Sequence, residues 1–217
     1  MSACEVSLQS KVFDFESAEG FVHSKMPEVD AYGGWTFDHW ERGSANVTCP
    51  SGQECWGTNL DGNYVQCQRA YLVSPKIDLG ACAGEDVQLL FEHYYDFWTD
   101  TVGGPVFYDG GLIEISPDGT TWSSASLAYP GTITINPEIN SSACYEKNNF
   151  YVNGKSGFVG SSSGWVSASI VIPASMTTAT FQVRFVYGTG VSFDTTSETT
   201  SMQNSAPGWY VDNLRFQ

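Results

Sequence analysis

The chain has 217 residues, with nine Lys and Arg against 24 Asp and Glu, for a formal net charge of −15 at pH 7. That balance argues against nucleic acid and anionic membranes as partners, since both attract clustered cations, and it suits divalent cations and a solvated extracellular surface. Charged residues are only 15% of the total while Gly, Ser and Thr abound, which is a loop-rich β composition, and no apolar run is long enough to insert into a bilayer.

Val12 to Glu16 alternates apolar and acidic residues and reads as a half-buried strand. Gly20, Pro27, Gly33 and Gly34 mark loops, and residues 34–40 form an aromatic, strand-like run. Residues 43–62 read as a long Cys- and Gly-bearing loop interrupted by Cys55-Trp56-Gly57-Thr58. Tyr64 to Val73 reads as a strand stopped by Ser74-Pro75, and Ile77-Asp78-Leu79 as a short edge piece. Val87 to Trp98 is the clearest strand, broken by Gly103-Gly104-Pro105. Residues 111–122 read as a hairpin, because Pro117-Asp118-Gly119 has the chemistry of a tight turn. Residues 130–164 are polar and loop-like. Trp165 to Ile172 and Thr180 to Tyr187 alternate as half-buried strands, residues 188–207 form a Ser/Thr-rich loop, and Gly208 to Phe216 is a terminal strand. No helix, repeat or linker stands out. The expectation is one domain over residues 1–217, all-β, an antiparallel β-sandwich with jelly-roll topology.

Six cysteines occur, Cys4, Cys49, Cys55, Cys67, Cys82 and Cys144, in no zinc-like spacing. The even count favours three disulfides and an oxidising compartment, with Cys49–Cys55 as a local staple and the other pairings open. The first residues, Met1-Ser2-Ala3-Cys4, lack the basic and apolar regions of a signal peptide, so secretion implies a leader already removed or an excised domain.

The terminal strand poses the main physical question. By strict alternation Trp209 and Val211 share one face, and Tyr210, Asp212, Leu214 and Phe216 the other. Asp212 then lies among apolar side chains, which is costly unless a bulge turns it outward or a cation meets it. If the two chain ends pair, Asp14, Glu16, Asp61 and Asp212 together offer the oxygen ligands that calcium prefers.

Other chemistry is thinner. Gly160-Ser161-Ser162-Ser163-Gly164 matches the nucleophile-elbow pattern but precedes a strand rather than a helix, so no catalytic residue is assigned. His93, within an aromatic strand, reads as a core or rim histidine rather than a base. Glu92, Asp96, Asp109 and Glu114 supply acids for a glycan-cleaving pair, a weaker alternative. Tyr94, Tyr95 and Trp98, with Phe107 and Tyr108 close behind, are candidates for stacking on sugar rings, although most aromatics of such a chain fill the core. Asn46-Val47-Thr48 and Asn140-Ser141-Ser142 match glycosylation sequons and are read as incidental.

The order Phe13-Asp14-Phe15-Glu16, Ser74-Pro75-Lys76-Ile77-Asp78-Leu79, Leu90-Phe91-Glu92-His93-Tyr94-Tyr95-Asp96, Asp109-Gly110-Gly111 with the hairpin to Trp122, Val183-Arg184-Phe185 and Gly208-Trp209-Tyr210-Val211-Asp212-Asn213 resembles the MAM-like jelly-roll module of secreted bacterial proteins, as in the non-catalytic part of immune inhibitor A-type metallopeptidases. The resemblance spans nearly the whole chain. It implies a MAM- or concanavalin-like sandwich, an extracellular or cell-surface location and a structural calcium, with Glu16 and Asp212 as ligands and Asp109 as a further acid. The cysteine set and the 43–62 loop depart from the pattern, and the peptidase's HExxH is absent, so no protease activity carries over. The expected function is therefore a non-catalytic binding or adhesion module for an extracellular glycan or protein, or else an accessory domain docked beside a catalytic domain of a secreted hydrolase.

Overall fold

A computed structural model describes residues 1–25, 38–65, 69–101, 103–134, 152–189 and 206–217. Most of the expected 34–40 strand, together with Cys67, Cys144 and the second sequon, lies outside the described residues.

In chain order the elements are α1 (Ala3–Leu8), β1 (Val12–Phe13), β2 (Val22–Lys25), β3 (Trp40–Gly43), β4 (Cys55–Thr58), β5 (Arg69–Val73), β6 (Val87–Asp96), β7 (Gly110–Ser116), β8 (Ser123–Ser124), β9 (Gly131–Thr132), β10 (Ser156–Gly157), β11 (Val166–Ile172), β12 (Gln182–Gly188) and β13 (Gly208–Phe216). A first sheet runs β11-β6-β13-β4-β3, with β1 also paired to β13. A second runs β2-β5-β12-β7-β8, and β9 and β10 form a separate small pair. All pairings between these strands are antiparallel. From β5 onward the chain passes back and forth between the sheets, as the sandwich expectation requires.

Alternation places the core. In β6, Val87, Leu89, Phe91, His93 and Tyr95 point inward while Glu92, Tyr94 and Asp96 point out. They meet Val183, Phe185 and Tyr187 of β12 and Ile113 and Ile115 of β7. Trp209 sits at the centre, edge-on to Phe185 at 5.7 Å. The backbone of Gly111 faces its ring, and a Cβ there would collide with Trp209. Each outer face also carries a small apolar cover. Leu112, Ile133, Val152, Val159 and Val186 cluster over the second sheet, and Cys49, Cys55, Leu60 and Tyr210 over the first.

Three expectations change. The sequence reading allowed no helix, yet α1 forms. Ser2 and Glu5 cap it reciprocally, and Cys4 ties it to Cys82. Six residues are too few to hold a helix alone, so the tether and the buried Cys4 and Leu8 hold it in place. The strand expected over 12–16 ends at Phe13, and within the span expected over 64–73 the described strand is Arg69–Val73. Cys49–Cys55 forms as expected.

Candidate metal centre at the seam of the chain ends

The two ends of the chain meet. One edge of β13 pairs with β6 along its length, while the other is shared by two short strands in succession. β4 covers Tyr210 and Val211, and β1 covers Leu214 and Arg215. Asp212 and Asn213 fall in the gap between them. There the β13–β6 register slips between Asp212 and Arg215, and Asn213 adopts φ +50°. The slip resolves the parity problem. Trp209, Val211, Leu214 and Phe216 all join the core, while Asp212 sides with Tyr210, opposite Glu92 on the outer layer.

Turned outward, Asp212 is still 0% exposed, because the Cys49–Cys55 loop closes over it. The Ser51 amide donates to Asp212 Oδ2 at 2.9 Å and the Asn213 amide to Oδ1 at 2.7 Å. The same loop turns the amides of Gln53 and Glu54 onto Glu16 Oε1 at 2.7 and 2.9 Å. Ser51 Oγ lies 2.6 Å from Asp212 Oδ1 and 2.7 Å from the Asp14 carbonyl oxygen. One hydroxyl proton serves one of these acceptors, so three oxygens crowd together with a proton too few.

The field at the seam is negative. Burial pushes the Asp212 carboxyl above its ordinary value, partly offset by its hydrogen bonds to Ser51 and Asn213, and Glu92 pushes it further. Glu19 is raised mainly by burial and then by the charges of Asp14 and Asp212, although the Phe15 amide donates to its Oε2. Arg42 is spent on Glu54 and the Phe15 carbonyl. Among the described residues no ion pair reaches Asp14, Glu16, Glu19 or Asp212. Among the described residues no three acidic, histidine or cysteine side chains converge closely enough to hold an ion unaided. A cation here would take mixed ligands: the Asp212 carboxylate, the Asp14 carbonyl, the Ser51 hydroxyl and water, a set calcium accepts. Phe15 and Glu19, like Asn213, have positive φ, so three of the five such non-glycine residues among those described line this seam.

The other acids singled out from sequence lie elsewhere. Asp109 is buried, accepts from the Tyr64 hydroxyl and sits beyond the Gly208 end of β13. From Gly208 to Asp212 the strand advances about 13 Å. Asp61 is exposed, in the turn after Thr58, at the end of β4 away from Asp212. Glu19 and Ser51, which sequence reasoning missed, belong to the seam. Ser51 lies inside the short Cys49–Cys55 loop, the one available signal.

The candidate sugar-stacking aromatics divide. Tyr95 faces the core beside Phe158 and His93, and Tyr94 lies outside against Trp165 and Tyr210. Trp98 and Tyr108 stack on each other, half-buried, with centroids 6.0 Å apart and planes 22° apart.

Ser162, His93 and Glu114, each weighed for catalysis, are committed to structure. The Ser162 hydroxyl accepts from the Tyr95 amide, and strand β11 follows it. His93 is buried, its Nδ1 accepts from Trp209 Nε1 at 3.2 Å, and desolvation lowers its pKa to about 3. Glu114 is buried beside Arg184 at 2.6 Å on the outer layer of the second sheet, whereas Glu92 lies on the outer layer of the first. These two acids cannot flank one bond.

No protein-family model matches the chain, and no curated protein does. The MAM-like resemblance therefore stands on motif order alone. Among solved structures the chain is similar to the K2 cleaved adhesin domain of Lys-gingipain, at 14% identity over 96% of this chain and 98% of that one, with a TM-score of 0.47.

Proposed function

We propose that this sandwich is a non-catalytic extracellular binding module for a glycan or protein ligand, its two chain ends joined around a structural calcium ion. The crowding of Ser51 Oγ, Asp212 Oδ1 and the Asp14 carbonyl, with a proton too few and no ion pair to Asp212 among the described residues, carries the calcium reading. Calcium would bring charge compensation to the carboxylate, carbonyl and hydroxyl oxygens that meet at the seam. Two disulfides among the described residues support an oxidising compartment, and none of the described helices is long and apolar enough to cross a membrane. The structural commitments of Ser162, His93 and Glu114 support the non-catalytic reading. The stacked Trp98–Tyr108 pair is the candidate platform for a sugar ring.

Arrays of glycans and extracellular proteins, probed with the 217-residue chain in calcium and in chelator, test the function. Binding in calcium that weakens in chelator is expected. Release of reducing sugar from a polysaccharide would contradict the proposal.

A further inference from the structure

The seam leaves one side of the sandwich unexplained. β11 is the outer strand of the first sheet, and among the described residues no strand pairs with its free edge. Sheet edges are ordinarily protected by charge, proline, bulges or brevity. β3 carries Glu41 and Arg42, β2 carries His23 and Lys25, and β8 has only two residues. β11 reads Val-Ser-Ala-Ser-Ile-Val-Ile, with no charge and no proline, and its register with β6 is unbroken from Val166↔His93 to Ile172↔Val87. Seven flat, uncharged residues on an edge are a template for another strand.

Beside this edge lies a groove of about 330 Å³, walled by residues 166–169 on one side and Leu127 and Pro130 on the other, with His93, Tyr95 and Phe158 at its floor. No charged side chain lines it, in a molecule of net charge −15. His93 is 1% exposed, and the indole N–H of Trp209 can only donate, so the Nδ1 it reaches carries no proton. The neutral ring therefore holds its proton on Nε2, which has no protein partner among the described residues. A ring donor among the residues lining this groove offers a neutral acceptor a hydrogen bond there.

We propose that the free edge of β11 and the adjoining groove bind an uncharged extended peptide, its backbone continuing the sheet and one side chain with a neutral acceptor entering toward His93. This rests on the reading of the domain as a binding module and names its ligand class. The charge pattern favours a peptide over a second copy, since two chains of −15 repel each other.

The test selects random linear peptides from a displayed library on the intact chain, with a glycan array run in parallel. The variants are Ser167→Lys/Ser169→Lys, at exposed edge positions, and His93→Phe, which keeps a ring but removes Nε2–H. Melting curves confirm that each variant folds. Enriched peptides should carry Asn, Gln, Ser or Thr at one fixed position and bind the double-lysine variant roughly tenfold more weakly, the loss of a central contact. Selection on His93→Phe should lose that preference. Absence of enrichment, or equal binding to the lysine variant, overturns the proposal. So does a dimer in sedimentation that the lysine variant dissolves, which would make a second copy the occupant. Glycan binding without peptide binding overturns it while leaving the binding-module reading intact, and silence on both assays removes both.

Discussion

Asn213 shows how one residue redirects a strand. Its φ of +50° sits in the left-handed region, where asparagine and glycine are tolerated and β-branched residues are strained. Asn213→Gly should leave stability nearly unchanged, whereas Asn213→Val should cost about 1–2 kcal/mol in urea unfolding. His93 makes a second prediction at this scale. Its folded pKa is depressed to about 3, against about 6.5 when unfolded, so the fold excludes a proton that the unfolded chain takes up. The stability this provides is complete above pH ~6.5 and declines as pH falls toward 3, by up to about 1.4 kcal/mol per pH unit. His93→Phe should flatten that decline relative to the wild type, read as the difference between their urea midpoints at each pH.

Among the elements, α1 and the Cys49–Cys55 loop are positioned by covalent ties rather than by their own propensity. The Cys4–Cys82 bond closes a span of 78 residues, so Cys4→Ser with Cys82→Ser should cost about 2–4 kcal/mol and free α1 to exchange its amide protons. Gly111→Ala should cost roughly 1–3 kcal/mol by forcing a methyl against Trp209, measured as a lowered denaturant midpoint. The long strands were legible in sequence where burial alternates strictly, as in β6, because period-two patterning reports one buried face. The ends were not. Val12–Glu16 alternates too, but only Val12 and Phe13 find a partner edge before Phe15 turns to φ +59°. The capping signature at Ser2 and Glu5 stands in the sequence, but the six residues behind it are too few to show a helical period. A bulge changes parity without changing composition, so of the two resolutions offered for Asp212 the sequence could not choose. The seam's acids were half legible: the Asp14 carbonyl and the Asp212 carboxylate meet at Ser51, Glu16 accepts from the same loop, Asp61 and Asp109 lie elsewhere, and Glu19 enters because the turn after Phe15 brings it back.

For the whole molecule, an excess of acids is tolerable at the surface but costly at a buried junction. Burial raises the folded carboxyls of Asp212 and Glu19, so without a cation their contribution to stability is present below about pH 4 and lost as pH rises through their raised folded values. A bound cation favours the ionised forms, so its effect should be greatest at neutral pH and fade on acidification. Scanning calorimetry at neutral pH, in chelator and in millimolar calcium, on the wild type and Asp212→Asn, tests the calcium-closed seam most directly. Calcium at about a hundred times its dissociation constant should raise the wild-type melting temperature by roughly 5–10 °C and leave Asp212→Asn unmoved. Superimposable wild-type melts with and without calcium would contradict it.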